Sequence, residues 1–204
     1  MHDTFPDHPD HLCLFQVATG QRGHFTAAQA RACGFARDLL SYHARRGRFQ
    51  RVQHGLYRFR DYPTAPHDEV VAAWLAAGKE SAVVSHESAL DLLDLSDVIP
   101  NSIHLTVSRA RRYLPSTAWV TIHTTTRPLR PGDVIRREGV RLTSPTRTIL
   151  DAAEAGTGPE QIELAIEQAI DRGLTTSGLL AAGAPSRGKR IVDLVASGLE
   201  LATA

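Results

Sequence analysis

Lysine is almost missing from this sequence: of 23 basic residues only Lys79 and Lys189 are lysines, and the others are arginine. A metal-dependent nuclease needs an acidic pair with a lysine close by in a strand, and neither lysine stands in that pattern. Walker-type and dinucleotide-type glycine motifs do not appear either, which removes the usual phosphate cradles. No enzyme is expected. Cysteine is equally scarce, with Cys13 and Cys33 inside apolar helical patterns rather than at disulfide or metal spacing. Both are expected to be small buried hydrophobes. The ten histidines are scattered, and none forms a zinc-type spacing with a cysteine or acidic partner. Neither a metal nor a cofactor is therefore expected. No apolar run approaches the roughly 18 residues of a membrane span, so no membrane association is expected. The first dozen residues lack the basic start and apolar run of a secretory signal, and the chain is expected to be cytoplasmic.

What the sequence does contain is unevenly placed arginine. Residues 1–60 carry nine arginines against four aspartates, a net charge of +5, while residues 61–204 carry 14 basic against 18 acidic residues, a net of −4. A compact basic module suits a polyanion, and the planar fork of arginine suits phosphates and guanine edges.

The local patterns inside that module are those of a helix-turn-helix. Asp10 to Gln21 reads as a first helix, with Leu12, Phe15 and Val17 as its apolar contacts. Thr26 and Gln29 have capping-box spacing with Phe25 before them, so a short second helix runs from Thr26 to Cys33 and ends at Gly34. A third helix follows to Arg46. On a helical wheel, Ala36, Leu39, Leu40, His43 and Ala44 share one arc, and Arg37, Asp38, Ser41, Tyr42 and Arg45 share the other. Phe49 to Phe59 reads as a hairpin turning at Gly55, placed like a wing directly after the third helix. The expected DNA contacts are Arg37, Ser41, Tyr42 and Arg45 in the major groove, with Arg46, Arg48, Arg51, His54 and Arg58 on phosphates or in the wing.

A proline-marked linker, Asp61 to His67, falls where the charge changes sign. The expected organisation is a winged helix-turn-helix domain over residues 1–62 and a larger mixed α+β domain over 63–204 with a C-terminal helical part. In the second domain, helices are expected from Asp68 to Ala77 and from Ser85 to about Leu95. Strands follow at 103–107 and 120–123, then a hairpin at 134–143 and four helices after Pro145. Ser85-His86-Glu87-Ser88 reads as a capping segment rather than an acid–base pair. Ser108 to Tyr113 is a second basic cluster, equally well read as a solvated loop or as a phosphate or acidic-partner contact. The acidic stripe Glu160, Glu163, Glu167 and Asp171 is expected to face solvent.

The sequence resembles the AbiEi family of type IV antitoxins. The likeness rests on Gly23 to Ala30, Leu40 to His43, Gly47 to Val52 and Gly55 to Arg58. Further on it rests on Val84 to Leu90, Ile103 to Val107 and Leu142 to Asp151. The resemblance implies a winged-helix repressor that binds inverted repeats in its own promoter, and a C-terminal domain that neutralises an AbiEii-type nucleotidyltransferase toxin. A homodimer on DNA is expected separately, because a single small module rarely gives enough affinity. Two other readings fit the residues. One is a stand-alone winged-helix regulator without a toxin. The other is a nucleic-acid-modifying enzyme using His86, Glu87 and the Arg109–Arg112 loop.

Overall fold

The computed structural model describes residues 8–111, 119–125 and 128–202. The chain divides into two compact units, the first comprising residues 1–80 with 138–140 and the second comprising 81–137 with 141–204. Among the described residues no helix is long and apolar enough to cross a membrane.

In the first unit, α1 (His11–Thr19) starts where the Asp10 carboxylate accepts from the Cys13 amide at 2.9 Å. It buries Leu14 and Ala18, one turn apart. Leu12 and Phe15, expected as core contacts, are 64% and 48% exposed because that register turns them outward. The short α2 (Ala27–Ala32) carries the full capping box between Thr26 and Gln29. Gly34, with φ +81°, supplies the left-handed turn that leads into α3 (Arg37–Arg45). Leu40 is the fully buried residue of α3, and Leu39 and His43 flank it.

Cys13 and Cys33 are joined by a disulfide between α1 and the end of α2, with Cα atoms 5.8 Å apart. This corrects the expectation of two separate hydrophobes. Their separation of 20 residues carries no disulfide signature, and the packing of the two helices is what brings them together.

The wing is a sheet of three strands rather than a hairpin alone. Strands β1 (His24–Thr26), β2 (Phe49–Gln53) and β3 (Leu56–Phe59) lie in the order β1-β3-β2, all antiparallel. Gly55 turns the hairpin with φ +73°. Because β1 pairs along the free edge of β3, β3 becomes the central strand. Its alternate residues Leu56 and Arg58 then face inward under α4 (Asp68–Ala77). Phe25, Phe35 and Phe49 fill the core with Leu14 and Leu40, and Phe25 meets Phe49 edge-on at 5.0 Å. Each such buried ring is worth about 1.5–3 kcal/mol. The first unit thus runs on past the linker, since α4 buries Val70, Val71, Trp74 and Leu75.

The second unit is mixed α+β. Its strands β4 (Ala82–Val84), β5 (Ile103–Val107), β6 (Val120–Thr124), β7 (Val134–Arg137) and β8 (Val140–Thr143) are ordered β6-β5-β4-β8-β7. β4 runs antiparallel to β5 and parallel to β8, and β5 runs parallel to β6. β4 has no signature in the sequence, because a three-residue apolar strand at the sheet centre, buried throughout, has no alternation to show. Helices α5 (His86–Leu92), α6 (Pro145–Ala155), α7 (Pro159–Asp171), α8 (Ser177–Gly183) and α9 (Lys189–Leu201) complete the unit. α7 packs Ile162, Ala165 and Ile166 inward, leaving Glu160, Glu167 and Asp171 exposed. Glu163 accepts from the Ser197 hydroxyl of α9.

Candidate nucleic-acid interface

The outward face of α3 is the one the wheel indicates: Arg37, Ser41, Tyr42 and Arg45 are exposed. It exists because Leu40 inserts into the aromatic core while His43 packs against Phe35 and Phe49, which fixes the rotation of the helix. Burial, with Arg48 and His11 nearby, lowers the His43 pKa, so this imidazole stays neutral and inside. Ser41 spends its hydroxyl proton on the Arg37 carbonyl at 3.0 Å, leaving its lone pairs for a donor from outside.

Beside this face the wing supplies Arg51 and His54, whose side chains meet at 3.2 Å. Both are exposed, as are Arg46 and Arg48 at the end of α3. The Arg46 guanidinium sits 5.6 Å over the Tyr42 ring, which orients both. Between α2, α3 and the wing opens a cavity of about 320 Å³ whose polar lining includes Arg31, Arg37, Ser41, Arg51 and His54. Among the described residues no carboxylate pairs with Arg31, Arg37, Arg45, Arg46, Arg48 or Arg51. A set of unneutralised guanidiniums on one helix and one hairpin is a surface for a polyanion.

Two expectations change. Arg58 does not belong to this surface: it is 7% exposed, donates to the Pro63 carbonyl at 2.8 Å and pairs with Asp68. Arg31 was not expected as a contact, yet it lines the cavity. Its position in the last turn of α2 gave no signal until the wing closed beside it.

In the second unit, Ser85 makes no side-chain cap bond to α5. Its Oγ instead accepts from Thr106 and lies 2.8 Å from Nδ1 of His86. Glu87 accepts from the Thr157 hydroxyl at 2.9 Å rather than bonding to His86, so the acid–base pair does not form. Arg109 to Arg111 form one turn of 3-10 helix. Arg112 and Tyr113 lie outside the described residues.

The fold and this surface define a winged helix-turn-helix module. Residues 14–60 match the family model described as "Transcriptional regulator, AbiEi antitoxin", the family that the sequence resembles. Among solved structures, the chain is similar to the RV2827C protein from Mycobacterium tuberculosis, with a TM-score of 0.57 and 17% identity. The match covers 93% of this chain and 79% of that one, a likeness of fold. None of the curated proteins matches the chain.

Proposed function

We propose that this chain is a sequence-specific double-stranded DNA-binding transcriptional repressor acting as the antitoxin of a type IV pair. It represses its own operon and neutralises a nucleotidyltransferase toxin. The observation that carries the DNA-binding reading is the unneutralised arginine face shared by α3 and the wing. Arg37, Ser41, Tyr42 and Arg45 read base edges from α3, and Arg46, Arg48, Arg51 and His54 hold phosphates. The match over residues 14–60 supports the regulator role.

Two modules act together on an inverted repeat, because one small module buries too little surface for operator-level affinity. Their half-sites lie about one helical turn, roughly 34–36 Å, apart or a multiple of it. The toxin partner rests on the family resemblance and docks on the second unit, where Leu179 and Leu201 are 57% and 54% exposed. The protein has no enzymatic role in this reading. Co-expression with the neighbouring nucleotidyltransferase, where one is encoded, tests the antitoxin half. Restored growth together with co-purification supports it, and toxicity unrelieved by this chain contradicts it. In the second case the DNA-binding half stands alone as a regulator without a toxin.

A further inference from the structure

Three histidines far apart in sequence meet in the second unit. Parallel pairing of β5 with β6 sets His104 opposite Thr121 and Thr106 opposite His123. Since side chains alternate along a strand, His104, Thr106, Thr121 and His123 share one face of the sheet. His86 enters from the end of β4, and its ring stacks on His123 with centroids 3.6 Å apart. Nδ1 of His104 lies 3.0 Å from Nε2 of His123. One ring nitrogen from each of the three falls within 4.8 Å of the other two. Ligation at about 2.0–2.1 Å in a tetrahedron sets ligand nitrogens roughly 3.3 Å apart, so the spacing suits a shared ion once the stacked His86 and His123 rings turn about their Cβ–Cγ bonds to bring their lone pairs together.

The three imidazoles are drawn out of solvent: His86 is 8% exposed, and His104 and His123 are half-buried. His86 itself sits at φ +53°, one of six non-glycine residues with a positive φ among the described residues. The Ser85 hydroxyl fixes its Nδ1, as a supporting shell does for a metal ligand. The nearby carboxylates are committed to arginines: Asp151 takes Arg147 at 2.8 Å and Arg187 at 2.6 Å, and Glu154 takes Arg187 at 2.7 Å. Asp133, 3.6 Å from Arg147, adds a third carboxylate to this network. A cavity of about 260 Å³, whose lining includes His86, His123, Thr125, Arg147, Asp151 and Glu154, opens on one side.

We propose that His86, His104 and His123 form a binding site for a divalent first-row transition metal of the zinc class, with a fourth position open to the cavity for a water molecule. Three imidazoles and one open position differ from a closed structural zinc site, which uses four protein ligands. The site lies in the second unit and shares no residue with the DNA-binding surface of the first.

The test uses the full chain without an affinity tag, stripped with a chelator and titrated with Co²⁺ and then Zn²⁺. The expected result is one equivalent of Co²⁺ with a visible absorption band that Zn²⁺ bleaches. His104→Gln and His123→Gln each weaken Zn²⁺ binding by more than about 100-fold while circular dichroism is unchanged. Absence of the band in the wild-type chain overturns the proposal, and so does a band that persists in both variants. Should a variant lose its native spectrum, X-ray absorption of the zinc-loaded wild type reads the ligand set directly. Three imidazoles support the site, and fewer overturn it.

Discussion

The guanidinium of Arg58 lies 3.2 Å from the carboxylate of Asp68, and the two side chains are 9% and 17% exposed. The pair joins the central wing strand to the first turn of α4, and the Pro63 carbonyl takes a second bond from the same guanidinium. Removing one partner strands a buried charge, which costs about 3–5 kcal/mol for a fully buried pair and less for this partly exposed one. Asp68→Ala is expected to destabilise the first unit by about 2–3 kcal/mol in urea melts. Intrinsic DNA affinity, measured where the variant is still folded, stays near wild type. An Arg58→Ala variant of undiminished stability that lost DNA binding would return Arg58 to the contact surface.

The Cys13–Cys33 disulfide closes a loop of 20 residues across α1 and α2. Loop-closure entropy for that length is worth about 3 kcal/mol. Reduction, or the Cys13→Ala/Cys33→Ala double variant, is expected to lower the melting temperature of the first unit, with the second unit as internal control. Equal melting of the oxidised and reduced forms would remove the disulfide from the account of stability.

His24 is 3% exposed, and burial lowers its pKa below 6.5, with the Arg58 charge adding to the shift. The direction fixes the sign. Above pH 6.5 the imidazole is neutral in both folded and unfolded chains and contributes nothing. As pH falls below 6.5 the unfolded chain takes up the proton first, so stability is lost until the lower folded pKa is reached. The melting temperature of the first unit is expected to fall between pH 7 and pH 5, and His24→Gln is expected to flatten that slope. A slope unchanged in the variant would assign the acid sensitivity to other groups.

Local signals made much of the first unit legible. Thr26 and Gln29 marked the start of α2, Gly34 its end, and the wheel of α3 separated Leu40 from Arg45 correctly. Arg58 was misplaced because its direction depends on β1 pairing with β3, a contact between residues 24 and 58 that no periodicity reveals. The disulfide and β4 were hidden for the same reason, since each exists only through packing. The three histidines show the limit most clearly: spacings of 18 and 19 residues carry no ligand pattern, and strand order alone brings them together.

If α3 reads sequence while the wing holds phosphate, fluorescence anisotropy on the chain's own upstream DNA and on scrambled DNA separates the two roles. Arg45→Ala is expected to cost about 1–3 kcal/mol on the native site and to narrow its advantage over scrambled DNA. Arg51→Ala is expected to weaken both DNAs alike and to reduce the salt slope by about 1. Wild-type affinity in both variants, with specificity and salt slope intact, would show that α3 and the wing do not contact DNA.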